Sequence, residues 1–136
     1  MKFPYKQLAR GAFRPIIPIT VCNPRDGKSI RYLALVDSGA DNCIFATEIG
    51  GLIGLDITSG APSTVSGVVA GASRPYYLHE VEIEVGGFAH KATVGFMPAL
   101  SKNGHGFVGR VGFFERFAFV KFGEPKHTVE LGARIS

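Results

Sequence analysis

The sequence predicts an all-β protein, mostly strand with one short helix late in the chain. Three observations carry that reading. Glycine and proline contribute 18 and 8 of the 136 residues, well above the roughly 12% of average usage, and turn formers at that density divide a chain into many short strands. Apolar segments of strand length recur between those turns, several of them alternating with period two. Hydrophobic residues make up 46% of the chain and charged residues 19%, a balance that can bury a core and excludes a disordered polymer. The expected organisation is one domain over residues 1–136, without linker, repeat or low-complexity tract.

The elements follow in order. Residues 14–21 hold Ile16, Ile17, Ile19 and Val21, with Pro15 and Pro18 pointing to an edge strand or bulge. Asn23-Pro24-Arg25-Asp26-Gly27 is a turn whose Asp-Gly pair is a hairpin signal, and residues 30–36 form the return strand. Residues 44–45 form a short strand, and a helical turn is expected near 47–53. Residues 63–69 and 75–85 read as a hairpin around Ala70-Gly71-Ala72-Ser73. Along the second arm Glu80, Glu82 and Glu84 alternate with Val81, Ile83 and Val85, giving one solvated and one apolar face. Gly86-Gly87 turns the chain into a strand over 88–96. Residues 106–111 lead to the best helix candidate, 112–117, and residues 118–122 and 128–131 close the chain as a hairpin.

Composition also narrows the chemistry. The 15 Lys and Arg against 11 Asp and Glu give a net charge of +4. These cations are scattered, with no basic stripe interleaved with aromatics, so nucleic acid is not an expected partner. No apolar run approaches the roughly 20 residues of a membrane span. The opening Met-Lys-Phe-Pro-Tyr-Lys has no apolar stretch behind it, so no signal peptide or membrane partner is expected and the default location is cytoplasmic. Cys22 and Cys43 are too few for a disulfide scaffold or a thiolate zinc site and read as small, largely buried apolar residues. His79, His90, His105 and His127 lack ligand spacing, so neither metal nor cofactor is expected. The Phe113, Phe114, Phe117, Phe119 and Phe122 series reads as core plus subunit contact.

The most informative segment is Leu33-Ala34-Leu35-Val36-Asp37-Ser38-Gly39-Ala40-Asp41. A hydrophobic strand delivers a carboxylate to its own end, where a hydroxyl residue and a glycine follow. Gly39 allows a sharp turn and close approach of a second chain or a ligand, and Ser38 offers a hydroxyl to tie the turn to a neighbour. Alone, such a tripeptide is an ordinary turn.

With its context the segment resembles the catalytic loop of the retropepsin-like aspartic proteases, the family of the retroviral proteases and their cellular relatives. Two further features fall in that family's order. Val65-Ser66-Gly67-Val68-Val69-Ala70-Gly71 resembles the substrate-covering flap. Gly106-Phe107-Val108-Gly109-Arg110 matches the paired hydrophobic residues, glycine and arginine that precede a short helix. The resemblance spans about 14–131, and the 112–122 segment is more similar to bacterial and phage-like members than to viral ones. It implies a retropepsin-like acid protease half-barrel, homodimeric, acting on a peptide or protein substrate. It further implies catalytic Asp37, Ser38 and Gly39, and a substrate-binding set of Ala40 with Gly67, Val68, Val69, Ala70, Gly71 and Ala72. A loop brace between Asp41 and Arg110, and a place for 128–131 as terminal strand of the dimer sheet, follow from it as well. Ala40 has no hydroxyl, which implies an optimum less acidic than that of pepsins.

The chemistry stands apart from the name. Hydrolysis by carboxylates needs two of them sharing one proton, one acting as base toward water and one as donor to the carbonyl. The chain holds four aspartates, Asp26, Asp37, Asp41 and Asp56, and only Asp37 sits on a hydroxyl–glycine turn after an apolar strand. The second carboxylate is therefore expected from another copy, in a C2 dimer. The alternative is a retropepsin-like dimerisation or peptide-binding module with little or no hydrolysis.

Overall fold

The computed structural model describes residues 1–66, 73–101 and 103–133. In chain order the regular elements are β1 (Lys2–Pro4), β2 (Lys6–Gln7), β3 (Phe13–Arg14), β4 (Ile16–Cys22), β5 (Ser29–Val36), β6 (Cys43–Ala46) and α1 (Thr47–Leu52). They continue with β7 (Ala61–Ser66), β8 (Ser73–Val85), β9 (Phe88–Met97), β10 (Gly106–Val108), β11 (Val120–Gly123) and β12 (Thr128–Leu131). Among the described residues, no helix is long and apolar enough to cross a membrane.

Seven strands form one sheet in the order β4-β5-β10-β6-β9-β8-β7, and a further pairing of β4 with β8 closes it on itself. Closure follows from the length of β8. Its later residues Glu82–Glu84 pair with Thr20–Cys22 of β4, while its earlier part pairs with β7 as a projecting hairpin. The alternation read in the sequence is what the barrel uses: Val81, Ile83 and Val85 are buried while Glu80 is exposed. Ile17, Ile19 and Val21 of β4 and Tyr32, Ala34 and Val36 of β5 join them in one core with Phe45, Phe96 and Phe113. A strand with one buried face is held in register, because a one-residue slip would move every side chain to the wrong side.

The Asn23-to-Gly27 turn is built as its residues suggest. Gly27 adopts φ +76°, its N–H donates to the Asn23 carbonyl at 2.9 Å, and the buried Asn23 amide donates to the Ile53 carbonyl at 2.9 Å. The turn thereby anchors the end of α1. That helix stops in a left-handed glycine, Gly54, with the Leu55 and Gly54 N–H groups returning to the Gly50 and Gly51 carbonyls, the arrangement that satisfies a helix C-terminus.

Three expectations change. The helix over 112–117 is a single 3-10 turn at Phe114–Arg116, and the α-helix is α1. Gly112 at φ +94° breaks the start of the late segment, and Phe113 and Phe117 must both reach the core. β4 is an edge only in its first half, the half that holds Pro18; its second half is covered by β8. Cys22 is half-buried, not buried like Cys43, because it ends β4 beside the turn. The segment 128–131 forms β12, which lies between β1 and β11 in a separate three-stranded sheet.

Candidate active site

Asp37 is the first residue beyond β5. β10 lies beside β5 in parallel, with Val108 opposite Val36, and its other edge meets β6 at Ile44. The chain that leaves β5 at Asp37 and returns at Cys43 must therefore cross over the end of β10. Three backbone bonds hold that crossing. The Asp37 N–H donates to the Val108 carbonyl at 3.0 Å, the Arg110 N–H to the Ala40 carbonyl at 2.9 Å, and the Val111 N–H to the Asp41 carbonyl at 2.9 Å.

The loop is also tied internally. The Ala40 N–H donates to the Asp37 carbonyl at 3.1 Å and the Gly39 N–H donates to Asp37 Oδ1 at 2.9 Å. A carboxylate oxygen held by its own turn fixes the orientation of the Asp37 side chain. Asp37 is half-buried, whereas Ser38 and Gly39 are exposed at the tip.

Gly109 is the keystone of the crossing. A Cβ there would stand 2.5 Å from the carbonyl oxygens of both Ala40 and Asn42, so only glycine lets the two segments stack this closely. Its N–H donates to Cys43 Sγ at 3.4 Å, and the Cys43 thiol donates to the Val111 carbonyl at 3.6 Å. Burial pushes the Cys43 thiol up to about 11, with the Gly109 N–H pulling the other way. A thiol in that state is a packing and bridging group and a poor nucleophile.

The residues read from the sequence are thus brought together in part. Asp37, Ser38, Gly39, Ala40 and Asp41 form one loop, and Arg110 is bonded to it through the backbone. Asp41 and Arg110 line a common recess with Val111, Phe114 and Glu115, yet among the described residues no ion pair joins their side chains. Backbone bonds from Arg110 to Ala40 and from Val111 to Asp41 join the two segments. The flap residues Gly67, Val68, Val69, Ala70, Gly71 and Ala72 lie outside the described residues; β7 and β8, which lead to them, pair from Ala61–Leu78 to Ser66–Ser73.

A cavity of about 420 Å³ opens beside the loop, lined by Gly39, Ala40, Asp41, Asn42, Ile44, Thr64 and Tyr76. Sequence reasoning missed Asn42, Ile44, Thr64 and Tyr76. Ile44 looks like any strand residue, and Tyr76 reaches the loop only because β8 and β9 fold beside β6. Gly95 on β9 leaves room for the Tyr76 ring and the Ile44 side chain, both of which a Cβ there would strike. Among the described residues no cluster of three or more His, Cys, Asp or Glu is placed to hold a metal ion.

Two solved structures share this architecture. A retropepsin-like aspartic protease from Rickettsia conorii is 15% identical, with a TM-score of 0.64 over 95% of this chain and 97% of that one. The EIAV protease, solved in complex with the inhibitor HBY-793, is 18% identical, with a TM-score of 0.52 over 77% of this chain and 88% of that one. At such identities the likeness is one of fold, and the fold is retropepsin-like. No family model and no curated protein matches the sequence.

Proposed function

We propose that the protein is an aspartic endopeptidase whose active unit is a homodimer. The observation that carries this is the crossing at Asp37: one carboxylate at the end of an apolar strand, one of its oxygens held by the Gly39 N–H at 2.9 Å, on a loop bonded to Gly109 and its neighbours. The fold shared with two proteases supports the same reading. Asp37 and the partner's Asp37 share one proton. The ionised carboxylate takes a proton from water, the oxygen so activated bonds to the scissile carbonyl carbon, and the protonated carboxyl donates to the carbonyl oxygen. Collapse of the tetrahedral intermediate then breaks the C–N bond, and a proton passes to the departing amine. Ser38 ties the two loops together across the two-fold axis, which suits its exposure. Residues 67–72 cover the substrate backbone, and the cavity at Asn42, Ile44 and Tyr76 receives a substrate side chain.

The test is cleavage of a mixed peptide library by wild type and Asp37→Asn, both shown to be folded and dimeric, from mildly acidic to neutral pH. Cutting by wild type alone is expected. Equal cutting by both proteins refutes the role of Asp37, and peptide binding without cutting by either replaces the protease with a peptide-binding module.

A further inference from the structure

The three-stranded sheet β1-β12-β11 has two outer edges, and they are not alike. In an antiparallel ladder, alternate residues turn their N–H and C=O groups to the same neighbour. The Met1 N-terminus donates to the Leu131 carbonyl at 2.9 Å, the Leu131 N–H donates to the Met1 carbonyl at 2.7 Å, and the Tyr5 N–H donates to the His127 carbonyl at 2.7 Å. Odd-numbered residues of β1 therefore face β12, and Lys2 and Pro4 face outward. Pro4 has no N–H to offer and Lys2 is charged, two devices that blunt an edge.

Among the described residues no strand pairs with the other edge, that of β11. The Gly132 N–H donates to the Phe119 carbonyl at 2.8 Å, and β11 and β12 continue in that register through Lys121 opposite Glu130 and Gly123 opposite Thr128. Lys121 and Gly123 thus spend their backbone groups on β12, while Val120 and Phe122 present theirs outward. Both of these residues are apolar, and Phe122 is 38% exposed and Phe119 48% exposed.

We propose that the second copy docks here, β11 pairing antiparallel with the partner's β11 about a two-fold axis at Phe122. This rests on the dimeric protease reading, which requires a second Asp37, and it names the surface through which the two copies meet. The register follows from charge. An axis at Lys121 would set Lys121 against the partner's Lys121, and like charges directly opposite destabilise a sheet. An axis at Phe122 sets Phe122 against the partner's Phe122 and Lys121 against the partner's Gly123. Within each chain Glu130 stands in register between Lys2 and Lys121, which offsets the charge of the nearer lysine. The chain path links this edge to the chemistry: Arg110 and Val111 bond the Asp37 loop, the Phe114–Arg116 turn follows, and β11 comes next. Val111 beside the loop is itself 53% exposed.

The experiment is disulfide trapping in a Cys22→Ser background. Directly opposed Cα atoms of a hydrogen-bonded pair are about 5.5 Å apart, within disulfide reach. Phe122→Cys is expected to yield mostly covalent dimer on mild oxidation, and Lys121→Cys and Lys2→Cys to stay monomeric on a non-reducing gel. The trapped dimer is expected to keep cutting peptide on dilution, where wild type loses activity as it dissociates. Phe122→Lys, which sets two charges face to face, is expected to weaken dimerisation at least tenfold with an unchanged monomer fold. Trapping through Lys121→Cys overturns the register, and trapping through Lys2→Cys overturns the choice of edge. A wild-type dimer that cuts peptide while Phe122→Cys gives no covalent dimer overturns the interface and leaves the protease reading standing. A trapped dimer that does not cut removes the protease and leaves the interface.

Discussion

Gly109→Ala isolates the crossing that holds Asp37. The added Cβ would stand 2.5 Å from the Ala40 and Asn42 carbonyl oxygens and 2.9 Å from the Asn42 carbonyl carbon. All three are backbone atoms, so no side-chain rotation relieves the contact and the 40–42 segment has to move. Overpacking of this kind costs about 1–3 kcal/mol. For a chain of this size each kcal/mol lowers Tm by about 4 °C, so the expected loss is about 4–12 °C. The same shift displaces Asp37, and a displacement of about 1 Å at reacting groups costs about 100-fold in rate. Gly51→Ala is the control. It lies in α1 with nothing within 4 Å of its added Cβ, and alanine in a helix interior gains about 0.5–1 kcal/mol over glycine. Thermal melts at one fixed protein concentration and initial rates of peptide cleavage read both variants. If Gly109→Ala melts within a degree of wild type and cleaves at the wild-type rate, the crossing does not hold the carboxylate and the reasoning fails.

Asn23→Ala removes both the amide bond to the Ile53 carbonyl and the acceptor for the Arg25 N–H; an expected loss of about 1–3 kcal/mol is read by urea denaturation. Phe113→Ala empties a fully buried ring site against Phe117 and His90 and is expected to cost about 3–5 kcal/mol in the same assay. The Cys43 thiol holds its proton to about pH 11 in the folded protein, whereas an unfolded cysteine releases it near 8.5. The native state then binds more protons through that window, so stability is full below about pH 8.5 and falls as pH rises toward 11. Denaturation at pH 7, 9 and 10 is expected to show Cys43→Ser losing less stability than wild type over that range, the slopes differing by up to about 1.4 kcal/mol per pH unit. Equal slopes would place the thiol in contact with water.

Local chemistry made much of this legible. The alternation of Val81, Ile83 and Val85 with glutamates is a statement about the faces of β8 whatever surrounds it. The Asn23-to-Gly27 turn needs only its own backbone preferences. The Asp37 loop was legible for a related reason: an apolar strand ending in Asp-Ser-Gly is written in consecutive residues, and so is Gly106-Phe107-Val108-Gly109-Arg110. Where neighbours decided, the sequence was less informative. The late helix became a 3-10 turn because Phe113 and Phe117 both find the core, and α1 tolerates Gly50 because Ile57 and Phe96 pack where its side chain would be.

What the sequence determined by itself is most of the barrel strands, their buried faces and the carboxylate-bearing loop, since each depends on periodicity or on backbone freedom within a few residues. The short strands β1 and β2 near the start of the chain carry no such signal. Only the tertiary structure decided that β10 inserts between β5 and β6, which turns Gly109 from an ordinary loop glycine into the point where two backbones touch. It alone placed Tyr76 and Ile44 beside the loop, and it alone put β12 inside its sheet with β11 as its outer strand. These are contacts between residues far apart in the chain. Their existence depends on which strands become neighbours, and no local propensity encodes that choice.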